Sequence, residues 1–334
     1  MHFEFWELRE FWVPTARLAV PRNPTLKPWR CGRGLNGMGE NRRRLGKTAR
    51  VSVLGLWCFF AVLCAAAGTS AEIHNQHAKV DLVAAKDAVA PGETAWLGLH
   101  FVLEPGWHIY WQNPGDSGEP PSVRWTLPAG FHAGAIEWPA PQRLGSGSVI
   151  DFGYSGEVLL MIPLATPANA APGTRENLGA AAKWLVCCEI CVPDQAPLSL
   201  TMNIVARPLH AGRELPPGAA LPLFERFRKL IPAAVPSNWK VTAISDGDDF
   251  ILSVETGTAE EHAAFYPFLP DPIENSAPQT AARLPKGVQL RLHKSDQVVK
   301  PVTMLKGVLE LGDPQGRSVA AYRVTVPVRQ ASKR

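Results

Sequence analysis

Three cysteines, Cys187, Cys188 and Cys191, fall within five residues of one another. Sulfur concentrated in this way can do one of three things. A pair can cycle between dithiol and disulfide in exchange with partner proteins. A pair can form a fixed disulfide and leave one thiol over. Two or three thiolates can ligate a soft metal, Cu(I) or zinc, with distant His and Met residues completing the set. Cys187 and Cys191 bracket three residues and Cys188 and Cys191 bracket two, so either pair could close a small ring. A bond between the adjacent Cys187 and Cys188 would be strained. A short ring constrains the unfolded chain far less than a long loop does, which favours chemistry over stapling. Glu189 places a negative charge beside any thiolate formed here and disfavours it. The pair is therefore better suited to be attacked as a disulfide by a partner's low-pKa thiolate than to attack.

Other residue types around this cluster could contribute. His108, in Gly106-Trp107-His108-Ile109-Tyr110-Trp111, could face the sulfur, donate to it or bind copper. The plainer reading is a buried strand-end histidine with a satisfied hydrogen bond. Asp116 and Glu119 sit in a Gly/Pro-rich loop that could cap the site or be an ordinary solvated turn. Tyr154 could stack near the cysteines or fill the core. His74 and His77 fall in what reads as a flexible N-terminal segment. No Ser-His-Asp order, HExxH, phosphate-binding loop or dinucleotide fingerprint is present, which excludes hydrolase, nucleotide-dependent and dehydrogenase readings.

The elements that must position these residues are strands. Leu97, Leu99, Phe101 and Leu103 alternate with Trp96, Gly98, His100 and Val102, and the same period of two recurs in Leu198, Leu200, Met202 and Ile204. It returns in Val288, Leu290 and Leu292 and in Tyr322, Val324, Val326 and Val328. Turns rich in Pro and Gly separate these runs, for example Glu104-Pro105-Gly106 and Asn113-Pro114-Gly115-Asp116. Short strands at turn-punctuated intervals predict an all-β chain of two immunoglobulin-like sandwich domains. The boundaries read as 73–207 and 235–330, joined by a 208–234 linker with one short helix over 223–230. Further strands are expected over 240–244, 250–255, 288–293, 308–311 and 321–328. The approach to the sulfur, Lys183-Trp184-Leu185-Val186, reads as a strand, and Pro193 ends regular pairing. The cysteines should therefore sit at a strand end or on a turn.

The N-terminal part has a different character. Residues 42–71 read as an export signal, with Arg42, Arg43, Arg44, Lys47 and Arg50 before an apolar run over 51–67 and small residues ahead of Glu72. The run is also long enough for an uncleaved anchor at 51–67. Leu63 stands where a lipobox requires a small residue, which argues against lipidation of Cys64. Residues 1–37 lack periodicity, and translation from Met38 is expected. Residues 1–71 hold 11 of the 34 Lys and Arg and 4 of the 30 Asp and Glu. The remainder has 23 basic and 26 acidic residues, a net charge of −3, so the basic balance belongs to the leader. Nucleic-acid binding has no electrostatic support. An exported protein works where disulfides can persist.

Four segments in order carry a resemblance. They are 106–118 with Pro120-Pro121, then Ile136-Glu137-Trp138-Pro139-Ala140-Pro141, then 152–160, then Trp184-Leu185-Val186-Cys187 with Cys191-Val192-Pro193. Over about 75–205 the chain resembles the N-terminal periplasmic region of DsbD-type thiol:disulfide interchange proteins, and within them the ScsB-like branch linked to copper tolerance. The resemblance implies an immunoglobulin-like sandwich whose redox pair is Cys187 and Cys191, relaying electrons from a membrane reductant to oxidised periplasmic proteins. It implies a component of a protein-disulfide reductase without a cofactor. Its expected partners are a membrane-embedded reductant of the CcdA/DsbD type and thioredoxin-like or disulfide-bearing periplasmic proteins. Full-length relatives continue into a membrane domain and a thioredoxin-like domain, so the reductant is expected to be a separate protein. Cys188 departs from the family pattern, being a third thiol where a polar residue is expected. The alternative from a different class is a copper-binding envelope protein using Cys187, Cys188 and Cys191 as ligands for Cu(I). A non-catalytic interaction module is a third reading.

Overall fold

In a computed structural model of the chain, residues 73–75, 77–206, 217–270, 272–313 and 318–331 are described. The export segment, the 51–67 run, the Met38 start and Cys31, Cys58 and Cys64 lie outside them. Among the described residues no helix is long and apolar enough to cross a membrane.

The first sandwich has two sheets. One is ordered β1 (Ile73–Asn75), β2 (Ala78–Ala84), β4 (Thr94–Leu103), β10 (Glu157–Ala165), β7 (His132–Ala133). The other runs β3 (Ala88–Val89), β12 (Cys191–Ile204), β11 (Arg175–Cys187), β5 (His108–Gly115), β9 (Val149–Ser155), β8 (Gln142–Ser146), with β6 (Ser122–Thr126) also paired to β11. Period-two alternation turns one face of each sheet inward. Leu82, Leu97, Leu99 and Phe101 from the first sheet bury against Leu178, Trp184, Leu198 and Leu200 from the second. The Trp184 ring meets Phe101 edge-on at 5.6 Å between centroids. Each fully buried side chain of this size stabilises the fold by about 1.5–3 kcal/mol.

The expected helix is α1 (Leu221–Arg228), two residues earlier than the sequence suggests. Its proline enters in the first turn, where no intrahelical N–H bond is lost. It is docked: Phe224 and Phe227 are buried in the first core, and Arg226 pairs with Glu157 of β10 at 2.7 Å.

The second sandwich comprises β13 (Ala233–Ala234), β14 (Lys240–Asp246), β15 (Asp249–Glu255), β16 (His262–Pro267), β17 (Thr280–Leu284), β18 (Gly287–His293), β19 (Met304–Gly312) and β20 (Ser318–Gln330). β20 pairs with β19 over most of its length and with β14 at its C-terminal end, linking two layers around Phe250, Leu252, Phe265, Leu290, Leu309 and Val324. The expected strands are all present, longer by up to four residues at either end. β16 and β17 were not anticipated. Ala263 to Tyr266 is a run of apolar residues without alternation, and β17 is an edge strand with mostly exposed residues. All-β, immunoglobulin-like architecture is thus what the described residues adopt.

The two sandwiches share packing. Tyr266 and Val308 of the second belong to the first core, where Tyr266 meets Phe152 at 5.3 Å and Phe268 meets Trp111 at 5.8 Å.

Candidate redox site

β11 and β12 form a hairpin in antiparallel register from Arg175↔Asn203 to Cys187↔Cys191. The two cysteines are its last rung and are joined by a disulfide. Cys188, Glu189 and Ile190 make the loop, closed by a bond from Cys188 N–H to the Ile190 carbonyl at 3.1 Å. Strand parity decides where the sulfur points. Trp184 and Val186 face the core, so Lys183, Leu185 and Cys187 face out, and Cys191 and Pro193 share their side. By the same rule Ile109 and Trp111 of β5 face in while His108 and Tyr110 face out, and on β9 Ile150 and Phe152 face in while Asp151 faces out. One end of the outer face of this sheet thus gathers Cys187, Cys191, His108, Tyr110 and Asp151.

Tyr110 is wholly buried although it lies outside the core. Its hydroxyl donates to Cys187 Sγ at 3.0 Å and lies 3.4 Å from both Cys191 Sγ and Ser117 Oγ. Ser117 Oγ gives its single proton to Asp151 Oδ1 at 2.9 Å, and Ser117 N–H binds the same oxygen at 3.0 Å. Of the acceptors that this leaves for the tyrosine proton, Cys187 Sγ is the nearest. Burial raises the Tyr110 pKa, the Ser117 contact opposes this, and the charge of Asp151 adds to the rise, so the hydroxyl stays protonated and remains a donor. The ring is covered by Gly118, which has φ of +76°; a Cβ there would stand 2.1–2.5 Å from Tyr110 ring carbons. Only glycine fits both the backbone and the space.

His108 pairs in register with Cys187, and its ring lies edge-on to Tyr110 at 5.3 Å. Its Nε2 is 3.8 Å from Asp151 Oδ2 and is buried without a hydrogen bond. It is a strand-end histidine beside the sulfur, but the satisfied hydrogen bond of the plainer reading is missing.

The remaining candidates separate. Tyr154 is a core residue whose hydroxyl donates to the Pro139 carbonyl at 2.8 Å. Asp116 anchors the turn that covers Tyr110: Oδ2 accepts from Ile150 N–H at 2.7 Å and Oδ1 from Asn275 at 2.8 Å. Glu189 is exposed on the hairpin loop, and Cys188 is half-buried against the first core. His77, expected in a flexible segment, stacks on Trp107 at 3.6 Å and bonds Glu104. Among the described residues no group of three or more His, Cys, Asp or Glu is arranged to hold a metal ion.

The two sulfurs are unequal. Cys187 is 2% exposed and lies under Tyr110, whereas Cys191 is exposed. Below Cys191 a groove of about 430 Å³ runs along the hairpin, lined by Leu185 and Pro193 of the next rung with Lys183, Gln195, Glu119 and Pro120. Tyr110, Ser117 and Gly118 lie in the 106–118 segment that carries the resemblance, but none of them carried an expected role, and Asp151 was missed although it stands as an acid between the apolar Ile150 and Phe152.

Comparison with known proteins bears on this site. The family described as thiol:disulfide interchange protein DsbD, N-terminal, matches residues 79–203. Residues 79–203 are a DsbD N-terminal domain. No curated protein matches the chain. Among solved structures, the N-terminal periplasmic domain of ScsB from Proteus mirabilis is 19% identical with a TM-score of 0.55, covering 75% of this chain and 94% of that one. At that identity the likeness speaks for the fold, and it extends beyond the DsbD N-terminal domain. A protein of unknown function from Porphyromonas gingivalis W83 is 12% identical with a TM-score of 0.20, covering 74% of this chain and 99% of that one, too slight an overlap to carry an inference. The match over residues 79–203 supports the thiol:disulfide interchange family, whose members act on thiol-redox partners in general. The disulfide-bonded pair Cys187 and Cys191 lies within the matched residues.

Proposed function

We propose that the chain is a periplasmic electron carrier that exchanges its Cys187–Cys191 disulfide with partner proteins, as a component of a protein-disulfide reductase. The unequal exposure of the two sulfurs carries this reading. A partner thiolate attacks the exposed Cys191 Sγ, the Cys187–Cys191 bond breaks, and its electron pair leaves on Cys187 Sγ. The Tyr110 hydroxyl, already donating to that atom, stabilises the leaving thiolate before it takes a proton from solvent. The partner's second thiol then attacks the mixed disulfide, releasing Cys191 as a thiol and closing the partner's own disulfide. Two electrons and two protons pass to the chain. The reverse sequence delivers them to an oxidised protein.

The donor on this reading is a membrane-embedded reductant of the CcdA/DsbD type, and the acceptors are thioredoxin-like or disulfide-bearing proteins. The groove below Cys191 offers them Leu185 and Pro193 as an apolar footing next to the reacting sulfur.

The test is the redox equilibrium of the purified protein against a glutathione series, with mass mapping of the bonded cysteines. A reversible Cys187–Cys191 bond with a potential of roughly −270 to −120 mV is expected. A bond that stays oxidised below about −300 mV would make it structural and end the proposal.

A further inference from the structure

The turn carrying Ser117 and Gly118 over Tyr110 is held from two sides. From the first sandwich, Asp116 N–H binds the Ile150 carbonyl at 2.9 Å, Ile150 N–H binds Asp116 Oδ2, and Asp151 takes both donors of Ser117. From the second, the grip is at both ends of the same turn. Asn113, 1% exposed, donates Nδ2 to the carbonyls of Pro267 at 2.8 Å and Leu269 at 3.2 Å, while its Oδ1 accepts from Gly115 N–H. Asn275, in the segment between β16 and β17, donates to Asp116 Oδ1 at 2.8 Å. The Asp116 carboxylate thus has one oxygen bonded to each sandwich. The residues between these anchors are those that place Tyr110 on the sulfur.

Resting on the exchange function proposed above, we infer that the second sandwich is a positioning part of the redox site, with Asn275 and Asp116 as the clamp that keeps Tyr110 aimed at Cys187. A spacer domain would need none of this. Hydrogen bonds to a carboxylate are among the stronger ones in proteins, so the clamp has the strength to set the turn.

The experiment uses Asn275→Asp, which sets two carboxylates against each other, and the swap Asp116→Asn with Asn275→Asp, in which the introduced amide donates back to the introduced carboxylate. The swap also keeps an oxygen at position 116 for Ile150 N–H. Two quantities are read in the purified protein: the rate of Cys187–Cys191 reduction by dithiothreitol, and amide hydrogen exchange at Ser117. Asn275→Asp is expected to slow reduction about threefold or more and to speed Ser117 exchange roughly tenfold or more. The swap should restore both, which separates loss of the contact from misfolding. In a Tyr110→Phe background, Asn275→Asp should slow reduction no further, because its effect passes through that hydroxyl. Unchanged reduction in Asn275→Asp overturns the inference, and so does a slowing that persists fully in the Tyr110→Phe background. A bond that dithiothreitol cannot reduce in any variant, the natural sequence included, sinks the exchange reading itself and this inference with it.

Discussion

Replacing Tyr110 by Phe removes one hydroxyl and nothing else from the sulfur site. The loss leaves no buried donor stranded, since Ser117 Oγ still gives its proton to Asp151, and the ring still fills the space under Gly118. What disappears is the donor 3.0 Å from Cys187 Sγ. A hydrogen bond to a charged group contributes about 1.5–3 kcal/mol. In the transition state for exchange roughly half of the thiolate charge has developed on the leaving sulfur, by analogy with a Brønsted coefficient of about 0.4–0.5 for thiol attack. About 0.7–1.5 kcal/mol of barrier is then at stake, a slowing of about 3- to 13-fold. Stopped-flow reduction by dithiothreitol, followed through the tryptophan fluorescence of a chain with Trp184 in the same hairpin, measures this directly. Thermal unfolding of the oxidised protein should change little. A Tyr110→Phe protein reduced as fast as the natural one, or faster, would refute the assignment of the hydroxyl as a stabiliser of the leaving sulfur.

Two further outcomes follow from the geometry. Cys187→Ser leaves Cys191 as an exposed thiol that should react with a chromogenic disulfide at least about tenfold faster than Cys187 does in Cys191→Ser, since thiol reactivity follows access; equal rates would remove the asymmetry on which the mechanism rests. Glu157 sits against α1: burial raises its pKa, but hydrogen bonds from His100 and Arg226 and their charges outweigh this and leave it below the ordinary glutamate value. A depressed carboxylate pKa adds stability that is full above the unfolded value near 4.5 and is lost as pH falls through the folded value. Acid titration of unfolding should show that loss below about pH 4.5, and Glu157→Gln should remove it.

Much of this was legible in the residues, and the limit has a physical cause. Alternation in 97–103 and 198–204 is a local property, so the strands and their inward faces could be read from the chain. The hairpin-end position of Cys187 was legible from the apolar strand that leads into it, but Pro193, expected to end regular pairing, lies inside β12 opposite Leu185. Tyr110 was hidden because its role depends on register between β5 and β11, which meet only at His108 and Cys187. An aromatic residue in a strand defaults to the core, and Tyr154 honours that default while Tyr110, equally buried, does not. Asp116 illustrates the same limit: its partner Asn275 is 159 residues away.

The Cys187–Cys191 rung caps a ladder already paired, residue by residue, back to Arg175 and Asn203. Opening it removes a crosslink that spans three residues and leaves the backbone bonds below untouched. The oxidised and reduced proteins should therefore share one native fold and nearly one melting temperature. On the proposed exchange function, a chain built this way would be charged and discharged repeatedly without passing through a loosened form that proteases or aggregation could intercept.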